Sequence, residues 1–550
     1  MKLINLINIL INKFTKPKRF SIIIECFFFL LIIGLSLYVL KTIILYGTAV
    51  TPDSIQYLDV SQNFSDGYGI VKNTYSLAPE KFKPLTSWPP LYPIILSFFD
   101  SSYTSGSVEA ARLSFIILPI TIILMYLLLK QTTSKFVAFL FSVIFLFSHP
   151  ILTVYSYAWS ETIFINLILM ALLASVLCIK FSSAANSPKH KFCILVLTVS
   201  TIFLPYCRII GIIFFFIIPI TFFLSKNRKP IIGYYIISCI LYIVSIGILL
   251  ARNYFHSGFW GGLDRKATSK GLHENIGDLL DAIQVQFLFS YEMLWISILA
   301  VLVSLAIKYF VKLESSTKQE LYFEERKNII LITAGCLISY LLALLVLRSI
   351  SSFDAIDTRL ISPAWPFVII ILALIFNYGW NSRNYIFSVL FFTSSIILIL
   401  PIINQHYEVY TKVVTNLKSN QHHQQLGFKN NSKLLYNDIF RGQNWTTFKN
   451  MIYDLKQINE IDLLITEKPK DFQFLSGIRS RKFPSDNITD DTIKLINESA
   501  DKGLILIMRQ QSIQNLNSYY KFNIKKLNYN KNFYKKYRAL LVPLPLPIMN

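Results

Sequence analysis

Five ionisable residues sit where long apolar stretches begin or end: Asp53 in TPDSIQYL, Glu161 in SYAWSETIFI, Arg208 in LPYCRIIG, Arg252 in RNYFHSGFWGG and Arg359 in DTRLISPAWP. A carboxylate can take a proton from an attacking group. A guanidinium is planar, permanently charged and suited to phosphate. Charges at membrane depth are expensive unless they face a cavity or a partner. Three arginines and two acids on one membrane face therefore suit a lipid phosphate. Taken singly, each also fits a snorkelling side chain or a structural ion pair. Asp53 has a second reading as well, because an Asp ahead of a helix can cap it by accepting backbone N–H bonds.

The elements that must position these residues are membrane spans. Of the 550 residues 53% are hydrophobic and only 15% charged, and mean hydropathy is +0.49, which marks a polytopic membrane protein. A span takes about 20 apolar residues. Eleven candidates lie near 20–45, 107–129, 134–152, 160–180, 192–206, 209–225, 230–251, 289–310, 328–347, 363–380 and 384–403. The fifth and sixth are short and separated only by the break at Cys207 and Arg208.

Lysines and arginines in short loops set the orientation. Lys13, Lys16, Lys18 and Arg19, then Lys189 and Lys191, then Lys226, Arg228 and Lys229, then Lys308, Lys312, Arg326 and Lys327 fall on one side if the amino terminus is cytoplasmic. Loops 46–106, 153–159, 252–288 and 348–362 then lie outside, with the tail after 403. The first span is followed by no small-residue cleavage site and reads as a retained anchor.

The large first outer loop is the most distinctive segment. After Pro52 and Asp53, Ile55, Leu58 and Phe64 recur at helical spacing, with Gln56, Asp59 and Gln62 for the other face. This predicts a helix lying in the membrane surface, Asp59 being solvated. Trp88, Pro89, Pro90, Tyr92 and Pro93 form a rigid aromatic turn before a run too short to span. It reads either as an interfacial belt or as the wall of a head-group pocket, with Trp88 and Tyr92 as lining residues.

From residue 404 the sequence turns polar. IDLLITE (461–467), DTIKLINESA (491–500) and GLILIMR (503–509) alternate as strand, helix, strand. The expected organisation is a transmembrane catalytic domain over 1–403, a linker over 404–432 and an exported α/β domain over 433–550. No GxGxxG or P-loop supports nucleotide binding. The six cysteines lie in or beside apolar segments, so no disulfide framework is expected. Neither CxxC, HExxH nor a His cluster suggests a protein-bound metal. The net charge of +22 is largely topological loop charge, and the basic tail suits anionic lipid head groups better than nucleic acid.

TPDSIQYL, FSDGYGI and PLTSWPPLYPIIL, in that order and spacing, resemble the first-loop signature of GT-C membrane glycosyltransferases, the ArnT-like and protein-mannosyltransferase-like family. SET (160–162), CRIIG (207–211), RNYFHSGFWGG (252–262) and DTRLISP (357–363) are further matches. The resemblance covers about residues 20–400. It implies a periplasmic or lumenal active site, a polyprenyl-phosphate sugar as donor, and Asp53 as general base. Many relatives carry a second acid beside the first; here Ser54 stands there, so a paired-acid metal motif is not carried over. A divalent cation stays open as a cofactor.

The expectation is thus an inverting glycosyltransferase in a bacterial inner membrane, with the amino terminus cytoplasmic and the C-terminal domain periplasmic or extracellular. The acceptor would be a lipid, glycan or protein. Glu161, Arg208, Arg252, Arg359, Trp88 and Tyr92 would bind substrate. The alternatives are a polysaccharide polymerase or ligase and a multi-span transporter. A transporter would usually show two related halves with broken segments, and no such symmetry is visible.

Overall fold

The structure is a computed structural model. It describes residues 18–44, 51–74, 82–99, 106–184, 187–287 apart from 266 and 269, 317–351 and 356–380, the single residues 48 and 494, and the segments 463–466, 480–483, 503–507 and 540–543. The chain divides into two compact units. One comprises 1–45, 86–91 and 113–414, the other 46–85, 92–112 and 415–550.

The elements begin with α1 (Lys18–Ile44), α2 (Pro52–Ser65), β1 (Val71–Asn73), β2 (Phe82–Pro84) and α3 (Leu91–Ser97). There follow α4 (Gly106–Lys130), α5 (Lys135–Leu146), α6 (His149–Ser156), α7 (Glu161–Phe181) and α8 (Pro188–Cys207). A 3₁₀ segment, Ile209–Phe216, runs into α9 (Ile217–Leu224). Then come α10 (Ile232–Ser257), α11 (Leu272–Phe287), α12 (Thr317–Ile350), α13 (Thr358–Ile361) and α14 (Trp365–Trp380).

Among the described residues seven helices are long and apolar enough to cross a membrane, or eight if α5 and α6, bent by 52° at their junction, form one span. This makes the protein a polytopic helical membrane protein. The expected count of eleven is not confirmed among the described residues: the expected span at 209–225 is a shorter apolar stretch, Ile209–Leu224, and two others, 289–310 and 384–403, lie outside the described residues. Apolar side chains on the flanks stay exposed, Leu30 of α1 at 70% and Ile243 of α10 at 59%. Helices apolar all round are buried in protein or lipid, and here lipid must cover them.

The stretch Ile209–Leu224 has only sixteen residues, yet it travels the full length of its neighbour α7. At one end Cys207 Sγ lies 3.2 Å from the carbonyl oxygen of Ser160, just before α7 begins; at the other the Lys226 amide donates to Ser182 Oγ at 3.0 Å, just after α7 ends. The 3₁₀ winding explains this. Eight residues at a 2.0 Å rise and eight at 1.5 Å give about 28 Å, close to the hydrocarbon thickness of a bilayer.

In the other unit, α2 leads through a glycine turn into the antiparallel pair β1–β2, with Lys72 opposite Lys83. The amides of Asp66 and Gly67 return to the last carbonyls of α2, and Gly67 and Gly69 both sit at φ 83, where only glycine is unstrained. That is why FSDGYG has its two glycines. The expected surface helix is instead a packed one: Ile55, Leu58 and Val60 are buried, and so are Ser54, Asp59, Ser61 and Asn63. Asp59 is not solvated. At 1% exposure it accepts from the Asn73 amide at 2.7 Å and from the Asn73 side chain, while Asn63 donates to the Val71 carbonyl at 3.0 Å. A buried carboxylate needs such partners, and these tie α2 to β1.

The tail contributes β3 (Leu463–Thr466), β4 (Ser480–Lys482), β5 (Gly503–Ile507) and β6 (Leu540–Pro543) in the order β4-β3-β5-β6. β3 is parallel to both neighbours, and β6 is antiparallel to β5. β3 and β5 coincide with the strands expected at 461–467 and 503–509. Their parallel pairing requires a crossover; the expected linker 404–432 lies outside the described residues.

Candidate functional site

In the first-loop unit, local chemistry decides what Asp53 does not do. Thr51 is the cap of α2: it is extended (φ −115°, ψ 174°), its Oγ1 accepts from the Ser54 amide at 3.3 Å, and it shares a 3.0 Å hydrogen bond with Ser54 Oγ. Pro52 takes the first helical position, where its missing N–H costs nothing. Asp53 follows, half-buried in the first turn, where the helix dipole favours a negative charge. Ser54 is wholly buried in the capping network, so this position serves structure. Tyr92 is 2% exposed, its ring edge-on to Tyr57 at 5.2 Å.

In the transmembrane unit a single carboxylate holds two arginines. Glu161, fully buried at the start of α7, pairs through Oε1 with Arg359 Nε at 2.6 Å and with Arg208 Nη1. The arginine side chains are 12% and 15% exposed. Two guanidinium groups thus share one carboxylate, and Asp357 is a further acid whose charge reaches Tyr340 together with theirs.

Each member is set by its backbone. Arg208 occupies an extended residue (φ −149°, ψ 132°) between α8 and the 3₁₀ segment, its carbonyl accepting from the Gly211 amide at 2.7 Å. Gly211 lies so near the Leu204 and Pro205 backbone that a Cβ would come within 2.5 Å of the Leu204 carbonyl carbon; hence the glycine of CRIIG. Asp357 caps α13, its Oδ1 accepting from the Leu360 amide at 3.0 Å, so Arg359 falls in the first turn. Tyr340 Oη donates to the Leu360 carbonyl at 2.8 Å and Ser362 Oγ to the Arg359 carbonyl at 2.7 Å. Trp159, which sequence reasoning did not single out, lies under Arg359 with its ring centroid 4.6 Å from Cζ, and Tyr157 stacks on it at 4.0 Å. Behind Glu161, Asn166, Thr121 and Tyr155 link α7, α4 and α6 by buried hydrogen bonds of 2.9 and 2.6 Å.

Arg252 stands elsewhere, at the end of α10, its Nη1 3.4 Å from Asn253 Oδ1. The following turn ends at Gly262, whose φ of +79° is left-handed and whose Cβ position is occupied by the Thr86 carbonyl. RNYFHSGFWGG is thereby folded against the segment that leads to the half-buried Trp88. Among the described residues no group of three or more His, Cys, Asp or Glu could hold a metal ion.

Among solved structures the chain is similar to ArnT from Cupriavidus metallidurans bound to undecaprenyl phosphate. Identity is 11%, 94% of this chain and 97% of that chain are covered, and the TM-score is 0.49. It is also similar to the Archaeoglobus fulgidus oligosaccharyltransferase tethered with an acceptor peptide, at 10% identity, 87% and 69% coverage and a TM-score of 0.47. The same organism's AglB, in complex with an inhibitory peptide and a dolichol-phosphate, gives 10% identity, 90% and 71% coverage and a TM-score of 0.45. No family model and no curated protein matches the sequence.

Proposed function

We propose that the protein is an inverting glycosyltransferase that moves a sugar from a polyprenyl-phosphate donor to an extracytoplasmic acceptor. The observation that carries the reading is that Thr51, not Asp53, caps α2. With the cap supplied by Thr51, Asp53 stands half-buried in the first turn of the helix that follows the first span, and a carboxylate so placed supports a role as general base. Asp53 would take the proton from the acceptor as that group attacks the anomeric carbon. The sugar's bond to the donor phosphate would break in the same displacement, leaving polyprenyl phosphate. That product carries more negative charge than the donor. The guanidinium groups of Arg208 and Arg359 suit it, since fixed positive charge facing developing negative charge lowers a barrier.

The acceptor is a glycolipid, glycan or protein on the outer face, and Arg252, Trp88 and Tyr92 are proposed as further substrate-binding residues. The test is purified protein with a polyprenyl-phosphate sugar, read as release of polyprenyl phosphate, alongside mass spectrometry of envelope glycans and glycolipids with and without the gene. Wild-type turnover that persists in Asp53→Asn would overturn the base assignment. An envelope unchanged by deletion and no donor turnover would overturn the transferase reading itself.

A further inference from the structure

At the end of the bundle opposite Glu161, the turn 131–134 between α4 and α5 draws charged side chains from five helices. Glu25 of α1 accepts from Lys130 of α4 and, at 3.0 Å, from Lys135 of α5. Lys180 of α7 reaches Gln131 Oε1 at 3.1 Å, and Arg326 of α12 donates to the Thr132 carbonyl. Among the described side chains four cations and one carboxylate gather around this turn.

The lysines are not sealed in: Lys130 and Lys135 side chains are 27% and 35% exposed. Beside them the bundle offers bare apolar surface, with Ile22 and Phe27 of α1 at 60% and 59% exposure and Phe136 of α5 at 51%. A positive pocket with a hydrocarbon wall fits a molecule that has an anionic head and acyl chains. The lysine and arginine pattern assigns this end to the cytoplasm, where anionic lipids attract basic pockets between spans.

We propose that the turn 131–134 and its surrounding cations, Lys130, Lys135, Lys180 and Arg326, bind the phosphate head group of an anionic phospholipid. This site is independent of the transferase reading. The lipid's phosphate sits among the four cations with its chains along α1 and α5. Glu25 orients two of the lysines and, by its own charge, restrains affinity.

The test uses the full chain in phosphatidylcholine nanodiscs with and without a minor fraction of phosphatidylglycerol, scored by lipid retention in native mass spectrometry and by thermal unfolding. Phosphatidylglycerol is expected to be retained preferentially and to raise the unfolding temperature. Removing one contacting charge with Lys180→Gln should lower the preference about fivefold, while Glu25→Gln should raise it. If Glu25→Gln fails to fold, Lys180→Gln alone decides, because that side chain contacts the turn without joining the Glu25 pair. An equal shift caused by inorganic phosphate in lipid-free detergent would overturn the lipid as the ligand. A preference indifferent to Lys180→Gln would overturn the site.

Discussion

Asp53 and Glu161 are both acids in the first turn of a helix, yet their surroundings predict opposite consequences of the same substitution. Asp53→Asn keeps the shape and leaves the Thr51 cap in place, so unfolding temperature should hold. Turnover of a polyprenyl-phosphate sugar should fall about 100- to 10,000-fold, the usual loss for a general base. Glu161→Gln removes the buried carboxylate that two half-buried guanidinium groups share, a loss of about 3–5 kcal/mol for breaking a buried pair; thermal unfolding in detergent should show it. Arg359→Lys keeps the charge but loses the planar fork and the stacking on Trp159. Affinity for a polyprenyl-phosphate analogue should drop about tenfold if Arg359 meets phosphate. If its only work is the ion pair, stability will fall and donor affinity will not. The ionisable residues were legible in the sequence because charge inside apolar sequence is conspicuous. That one carboxylate serves both arginines was not, since Glu161 and Arg359 are 198 residues apart. Trp159 gave no separate signal, as an aromatic at a span end reads first as a belt residue. The Thr-Pro-Asp order did hold the cap: Pro at the first helical position puts the cap at Thr51, one residue ahead of Asp53.

At the scale of elements, two glycines do what periodicity cannot report. Gly211→Ala would drive a methyl into the Leu204 and Pro205 backbone and must move the turn that carries Arg208. Gly262→Ala adds a left-handed backbone to a collision with the Thr86 carbonyl. Both should lower the unfolding temperature, and Gly211→Ala should reduce donor turnover beyond what its stability loss explains. The control is Gly233→Ala, where a methyl meets nothing within 4 Å and both measurements should stay at wild type. Helix positions in the bundle followed from runs of apolar residues. The α2 face did not, because the bond from Asp59 to Asn73 joins residues fourteen apart, and a polar residue that finds its partner in the next element is indistinguishable by spacing from one that faces water.

At the scale of the whole chain, the orientation expected from the lysines and arginines makes the C-terminal segment extracytoplasmic. A cysteine placed at Ser476 or Asn487 should react with a membrane-impermeant maleimide in intact spheroplasts. Reaction only after lysis would reverse that side. β3 and β5 were readable as short apolar runs; β4, with the sequence Ser-Arg-Lys, and β6 were not singled out, and the order of the four depends on pairings that no local pattern encodes.

The 3₁₀ stretch at Ile209–Phe216 also makes bilayer thickness a variable of the protein. Rewinding those eight residues as α-helix would shorten the crossing by about 4 Å, and Arg208 sits at the end that such a change would move. Mismatch between a span and its bilayer costs fractions of a kcal/mol per ångström, so acyl chain length and the depth of the Arg208 guanidinium are coupled. In vesicles of graded chain length, turnover should pass through a maximum. Thicker bilayers should favour the extended winding and thinner ones should draw the Arg208 turn inward. Substitutions that stiffen the stretch as α-helix, such as Ile212→Ala with Ile213→Ala, should move the maximum toward shorter lipids.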